Sequence, residues 1–281
     1  MVAGTALLLC NDAALKYLTK SYPAGQVIFL RQMAMLLVIV PYITIVTGWG
    51  VARVTLWRGQ VVRGLLLLAS FAFTVVGLSF LPLTTVTAIT FLSPIFVVLL
   101  SAPLLGERVG PRRWIAALIG FIGMLLIVRP GTIAFEWVLL LPMATALTTG
   151  LREVLTRHLS RSETSIAILL SSTVIVMLGG LTTAPFGWSK LDLAGAGLFL
   201  LAGVCNTGAQ FLMIEALRMG EASLVSPFRY TGLVWAILFG YLLWGEVPGL
   251  WVAFGVSLIV FGGWYTVRGE SSHHERQGSS L

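Results

Sequence analysis

The stretch LPLTTVTAITFLSPIFVVLLSAPLLGERVGPRRWIAALIGFIGMLLIVRP, residues 81–130, decides how the chain is read, because its plan occurs twice. Two apolar runs, Val86 to Leu105 and Trp114 to Val128, are hinged at Gly106-Glu107 and closed by Arg129. Residues 220–269 repeat this with a hinge at Gly245-Glu246 and a closing Arg268. Both pairs stand 139 residues apart, and the same offset lays Leu104 over Leu243 and Gly123 over Gly262. A constant offset over such a length marks a duplicated half. The halves are drawn at residues 1–131 and 132–268, followed by a polar tail, 269–281, that is expected to be disordered.

The solvent of these halves is a bilayer. Of 281 residues, 57% are apolar and only 10% charged, and the mean hydropathy is +0.95. A soluble core cannot bury that much apolar surface, since ordinary globular domains carry about a quarter of their residues as charges. The net charge of +7 and pI near 9.9 would suggest nucleic acid in a soluble chain. Here the basic residues sit in short connections between apolar runs, where they orient helices, so no nucleic-acid partner is expected. Cys10 and Cys205 lie inside apolar runs, which speaks against a disulfide framework and against a metal site.

Apolar runs of about 17 to 25 residues recur along the chain, each enough to cross the hydrocarbon as a helix. They are placed at 2–18, 24–47, 61–80, 83–105, 112–128, 135–158, 164–186, 193–217, 222–244 and 249–267. The runs are continuous rather than alternating, which favours helices over a barrel. The expected fold is therefore an all-α integral membrane protein of ten transmembrane helices. Arginine and lysine in alternate connections divide twelve against four, which puts both termini in the cytoplasm. With five helices per half, an odd number, the second half is inverted relative to the first.

Inverted halves can exchange conformations and so open a midplane site to either face, which makes a transporter the leading class. Polar residues at membrane depth then mark the path. Helix one supplies Asn11, with Asp12 four residues before Lys16, and helix six supplies Thr145, Thr148 and Thr149. Helix eight places Asn206 and Gln210 on one face. Phe71 stands 139 residues before Gln210, among Ser70, Phe73 and Thr74, so an aromatic wall can oppose an amide wall. Helix four carries Thr87, Thr90, Phe91 and Pro94; helix nine carries Ser226, Pro227, Phe228, Arg229 and Tyr230. Pro94 and Pro227 are candidate gating kinks.

Arg229 is the sharpest single candidate, a cation about 12 Å inside helix nine at 1.5 Å per residue. Either it receives an anionic group of the solute, or it snorkels or pairs with Glu215. The Gly-Glu hinges are read as structural, glycine closing one helix and glutamate complementing the dipole of the next. Tryptophans other than Trp235 lie near helix ends and are read as interfacial anchors.

With these residues in view, the chain resembles the drug/metabolite transporter superfamily, of the EamA type. The resemblance is carried by Ala6-Leu-Leu-Leu-Cys-Asn11 running to Lys16, by Phe29-Leu-Arg31, by Thr87 to Pro94, by Gly106-Glu107-Arg108 followed by Gly120 and Gly123, and by the second Gly245-Glu246. It implies ten helices in two inverted five-helix repeats and a central cavity among helices one, three, four, six, eight and nine. Within the superfamily the chain looks most like bacterial YddG-type exporters, which implies a multi-pass inner-membrane protein exporting aromatic and other neutral amino acids. Cys10 stands where such relatives usually carry tryptophan.

Other classes are weaker. His158, His273 and His274 lie at the membrane edge or in the tail, so neither a serine-histidine pair nor a two-histidine metal site forms at depth, and no enzyme is expected. No Gly-rich loop ending in Lys-Ser or Lys-Thr is present, so ATP is not the expected energy source, and no cofactor is implied. The expected partners are a small amphipathic metabolite such as an amino acid, and membrane lipid. The expected lining is Asn11, Phe71, Thr74, Thr90, Asn206, Gln210, Ser226 and Tyr230, with Arg229 as the anion contact. A multidrug exporter and a channel are the alternatives.

Overall fold

The computed structural model describes residues 1–81, 86, 89–107, 109–128, 137–244, 250–251, 253–262 and 264–265. Among them every regular element is helical. Helix α1 spans Val2–Ser21 and stops because Tyr22 precedes Pro23, a position that disfavours the helical region; Tyr22 is extended at φ −127°, ψ 140°. Helix α2 spans Ala24–Tyr42. Pro41 withdraws one backbone donor near its end, the helix widens into a π turn over Ile43–Thr47, and Gly48 closes it at φ +75°. After a 3-10 turn at Trp49–Ala52 comes α3, Trp57–Phe80.

Helix α4, Ser93–Leu105, ends as expected on Gly106 in the left-handed conformation, φ +69°. Helix α5, Pro111–Val128, begins with proline, whose missing N–H costs nothing at the first helical position. A 3-10 turn, Trp137–Leu139, leads into α6, Leu140–Leu159. Helix α7, Ser165–Leu181, is capped by Thr164, whose Oγ1 accepts from the Ala167 N–H at 3.1 Å, and a 3-10 turn follows at Ala184–Phe186. Helix α8 is Leu193–Met219. Then come one α turn, Ala222–Val225, a 3-10 segment, Ser226–Tyr230, and helices α9, Thr231–Trp244, and α10, Ala253–Gly262.

Ala24–Thr47, Trp137–Leu159, Ser165–Phe186 and Leu193–Met219 are each long and apolar enough to cross a membrane. Their 22 to 27 residues reach about 33 to 40 Å at 1.5 Å per residue, more than the ~30 Å hydrocarbon core. Large apolar side chains such as Ile45, Phe186 and Leu193 stand exposed, which water would penalise and lipid does not. The chain is thus an all-α, multi-pass membrane protein.

Two compact units form. The first comprises residues 1–69 and 155–219, the second residues 70–154 and 220–281. In the first, α1 packs along α8, and α2 packs against α7 and α8. The backbones come close because Gly203 leaves no room for a side chain: a Cβ there would stand 2.5 Å from that of Ala34. Met35, Ile39, Ile43, Leu159, Ile168, Leu169 and Ile214 fill this core. Arg63 is a buried residue of α3. Its Nε donates to Thr156 Oγ1 at 2.8 Å and its Nη1 to Ser172 Oγ.

In the second unit Met124, Tyr230 and Ile259 form the centre of a core. Here α5 and α10 touch backbone to backbone, a Cβ on Gly123 falling 2.7 Å from the Gly255 carbonyl oxygen. The Gly245-Glu246 hinge, Thr87, Arg108 and the tail from 269 lie outside the described residues.

Candidate functional site

An irregular stretch of backbone in the second unit, Ser226–Tyr230, carries Arg229. The sequence predicts a continuous helix over 222–244, but the chain is α-helical only at the two ends of that range. Pro227 has no N–H to close an α turn, and the tighter 3-10 pattern takes over across Ser226–Tyr230. Within it Ser226, Pro227 and Tyr230 are buried and Arg229 is half-buried.

Arg229 Nη1 donates to Glu153 Oε1 of α6 in an ion pair. The side chains are 19% and 3% exposed, so the pair is largely withdrawn from solvent. Glu215, the partner that the sequence suggests, instead lies 3.6 Å from Arg218, three residues on in α8. Sequence reasoning misses Glu153, although a carboxylate inside an apolar run is itself a functional signal. The Ser226 hydroxyl, wholly buried, has no hydrogen-bond partner among the described residues. Tyr230 Oη donates to the Phe91 carbonyl at 3.0 Å, and the rings stack.

Thr90 is helical just before a turn at Phe91-Leu92, and its buried hydroxyl also has no partner among the described residues. Pro94 is the second residue of α4 and buried, so it sits at a helix start where its missing N–H is harmless. Along α3 and α6 runs a hydroxyl seam. Ser70 Oγ lies 2.7 Å from Thr148 Oγ1, and Thr74 Oγ1 donates to the Ser70 carbonyl at 2.8 Å, 3.3 Å from Thr145 Oγ1. Phe71 is half-buried beside it. The seam joins two helices as polar contacts do in membranes.

Glu107 is 7% exposed and reaches across the fold: it accepts from the Ala222 N–H at 2.9 Å and the Ser223 N–H at 3.1 Å, and from Ser223 Oγ at 2.8 Å. Beside it Arg113 pairs with Glu221 and donates to Ser223 Oγ at 2.7 Å. The start of the broken helix is thus held by α5 and the loop before it.

The remaining candidates belong to the first unit. Asn11 is 1% exposed, and its Nδ2 donates to Asp12 Oδ1 at 2.9 Å while its own Oδ1 is unpartnered among the described residues. The Lys16 side chain lies outside those described. Asn206 is buried, its Nδ2 3.1 Å from Met35 Sδ, and Gln210 is half-buried one turn along. A cavity of about 370 Å³ in this unit is lined by apolar groups of α2, α7 and α8, including Ile39, Leu169 and Phe211, and by none of the candidates.

Residues 10–129 and residues 136–268 each match the EamA-like transporter family. The chain belongs to that family. It is 34% identical over 199 residues to a riboflavin transporter of Rhizobium johnstonii, a match covering 70% of this chain and 65%, less than two thirds, of that protein. It is 25% identical over 271 residues to an S-adenosylmethionine uptake transporter of Rickettsia prowazekii, covering 95% of this chain and 92% of the relative. A pseudopaline exporter of Pseudomonas aeruginosa is 28% identical over 89% of this chain and 88% of its own length. A protein solved by crystallography shares the fold with a TM-score of 0.78 at 22% identity, over 94% of both chains. This EamA-like protein is a small-molecule membrane transporter and not an enzyme.

Proposed function

We propose that the chain is an inner-membrane carrier of ten helices in two inverted five-helix repeats, with both termini cytoplasmic and alternating access between faces. Its solute is a small amphipathic metabolite that joins a flat ring to a polar chain. Aromatic amino acids are the first members to test, other neutral amino acids extend the panel, and the direction is export, as the YddG-type resemblance implies. Riboflavin and S-adenosylmethionine, named for relatives, share the ring-plus-polar-chain chemistry and belong in the same panel. Asn11, Phe71, Thr74, Thr90, Asn206, Gln210, Ser226, Arg229 and Tyr230 are proposed to line the path, with Pro94 and Pro227 at its moving parts.

The observation that carries this reading is the broken helix at Ser226–Tyr230, with Arg229 held on Glu153. Irregular backbone at membrane depth is tolerated where protein or a water-filled path satisfies it, and discontinuous helices of this kind build transporter sites. An arginine facing lipid at this depth would cost at least about 2.5 kcal/mol, so its presence calls for a partner or a path.

The test is flux in proteoliposomes. Labelled aromatic amino acids, riboflavin, S-adenosylmethionine and cationic drugs are offered from either side, with and without a pH gradient. Saturable flux with counterflow is expected, lowered by Gln210→Ala. Flux without counterflow indicates a channel, flux of cationic drugs alone indicates a multidrug exporter, and absence of any flux in folded protein sinks the carrier.

A further inference from the structure

Glu153 grips Arg229 through a single contact. A guanidinium carries five N–H donors, and among the described residues Arg229 forms no hydrogen bond other than that of its Nη1 to Glu153 Oε1. On the other side of the pair, Glu153 Oε2 is buried without a hydrogen-bond partner among the described residues. A bridge serving stability alone gains most from bidentate geometry with both oxygens used, because each buried charge must recover its lost hydration. Here the carboxylate fixes one edge of the guanidinium and leaves the rest of it free, in a side chain that remains 19% exposed.

Two further groups stand close to the pair along the chain. Ser226 precedes Arg229 by three residues in a 3-10 segment, where positions i and i+3 eclipse each other. Its hydroxyl is fully buried and unpartnered among the described residues, which leaves a polar group whose hydrogen bond remains to be made. Arg152, next to Glu153 in α6, adds a second positive charge on that helix, and like charges gain from an anion between them.

We infer that Glu153 is the positioning residue of an anion subsite in which Arg229 and Ser226 receive a carboxylate or phosphate of the transported solute. This rests on the carrier reading above. It narrows the substrate class to metabolites that carry an anionic group on the polar chain, and it gives Glu153 a role in specificity that does not require it to touch the solute.

The experiment uses probe pairs that differ only in the anionic group: tryptophan against tryptamine, and riboflavin 5′-phosphate against riboflavin. Flux in proteoliposomes is measured together with thermal stabilisation of the purified full chain by each probe. The anionic member of at least one pair is expected to show a KM at least about tenfold below that of its partner; which pair responds separates carboxylate from phosphate. Glu153→Gln then raises KM for that member about tenfold with Vmax nearly unchanged, Glu153→Asp restores part of the loss, and Arg229→Gln erases the difference within the pair. A merely structural bridge would instead lower flux of both members alike, and that result overturns the inference. So does a wild-type protein that treats both members of each pair equally. Absence of flux with selective stabilisation by the anionic probe overturns only the carrier reading; absence of both overturns both.

Discussion

Tyr230 and Phe91 stand 139 residues apart, the offset of the internal repeat, and they touch: the Tyr230 hydroxyl donates to the Phe91 carbonyl at 3.0 Å and the rings stack 5.9 Å apart at 22°. The glycines of α5 and α10 keep the same offset. Gly123 approaches Gly255, and Gly262 approaches Ala116, the contact obtained by exchanging the copies.

The Tyr230 ring leaves no space over Gly120. A Cβ at Gly120 would fall 2.4 Å from Tyr230 Cδ2 and 2.8 Å from Cε2, and the ring is fully buried and tied by its hydroxyl. Gly120→Ala is expected to cost about 1 to 3 kcal/mol as overpacking. Gly197→Ala in α8 meets nothing within 4 Å and should gain about 0.5 to 1 kcal/mol from helix propensity. Unfolding in detergent checks the opposite signs, and equal effects would contradict the packing.

Removing one charge of the Glu153–Arg229 pair strands the other in a largely buried place. Each of Glu153→Met and Arg229→Met is expected to destabilise by about 3 kcal/mol or more, and the double variant by less than the sum. A double-mutant cycle on thermal stability reads the coupling. Strict additivity would show that the two side chains do not depend on each other.

Glu107 satisfies two backbone donors at the start of the Ala222–Val225 turn. Glu107→Ala leaves them buried without an acceptor, for an expected loss of about 1 to 3 kcal/mol. Hydrogen exchange should quicken first at the amides of Ala222 and Ser223. Unchanged protection there would mean that another acceptor takes over.

Tyr22 and Asp192 form a pH-sensitive clasp outside the helices, with the Tyr22 hydroxyl 2.5 Å from Asp192 Oδ1. The hydrogen bond from Tyr22, followed by that of the Gly195 N–H at 2.8 Å, holds the Asp192 carboxyl below its ordinary value. The same bond to Asp192 raises the Tyr22 phenol above its own. The Asp192 contribution is present above the unfolded carboxyl value near about 4 and is lost as pH falls through the lowered folded value. The Tyr22 contribution is present below about 10 and is lost as pH rises through the raised value. Tyr22→Phe should therefore flatten the stability profile at both extremes, and a profile identical to wild type would discount the clasp.

Several features of the fold are legible in the order of the residues alone. Gly106 announces the end of α4 because a left-handed residue is nearly free only for glycine, and it takes that conformation. Pro227 announces a disturbance in the helix that follows 222, although not that a 3-10 segment absorbs it. The helix-rich, membrane-spanning character follows from apolar runs too long and too continuous for any other structure in lipid.

The amino-acid sequence by itself determined the solvent, the all-helical character and the class of activity, because each depends on composition and on residues close together along the chain. Only the tertiary structure decided which charges and hydroxyls meet. Glu107 finds Ala222 and Ser223 across 115 and 116 positions, and Arg229 finds Glu153 across 76, not the Glu215 that lies nearer in the chain. A buried polar group takes whatever partner the packed helices place beside it. That choice belongs to helix neighbours, which local periodicity does not encode.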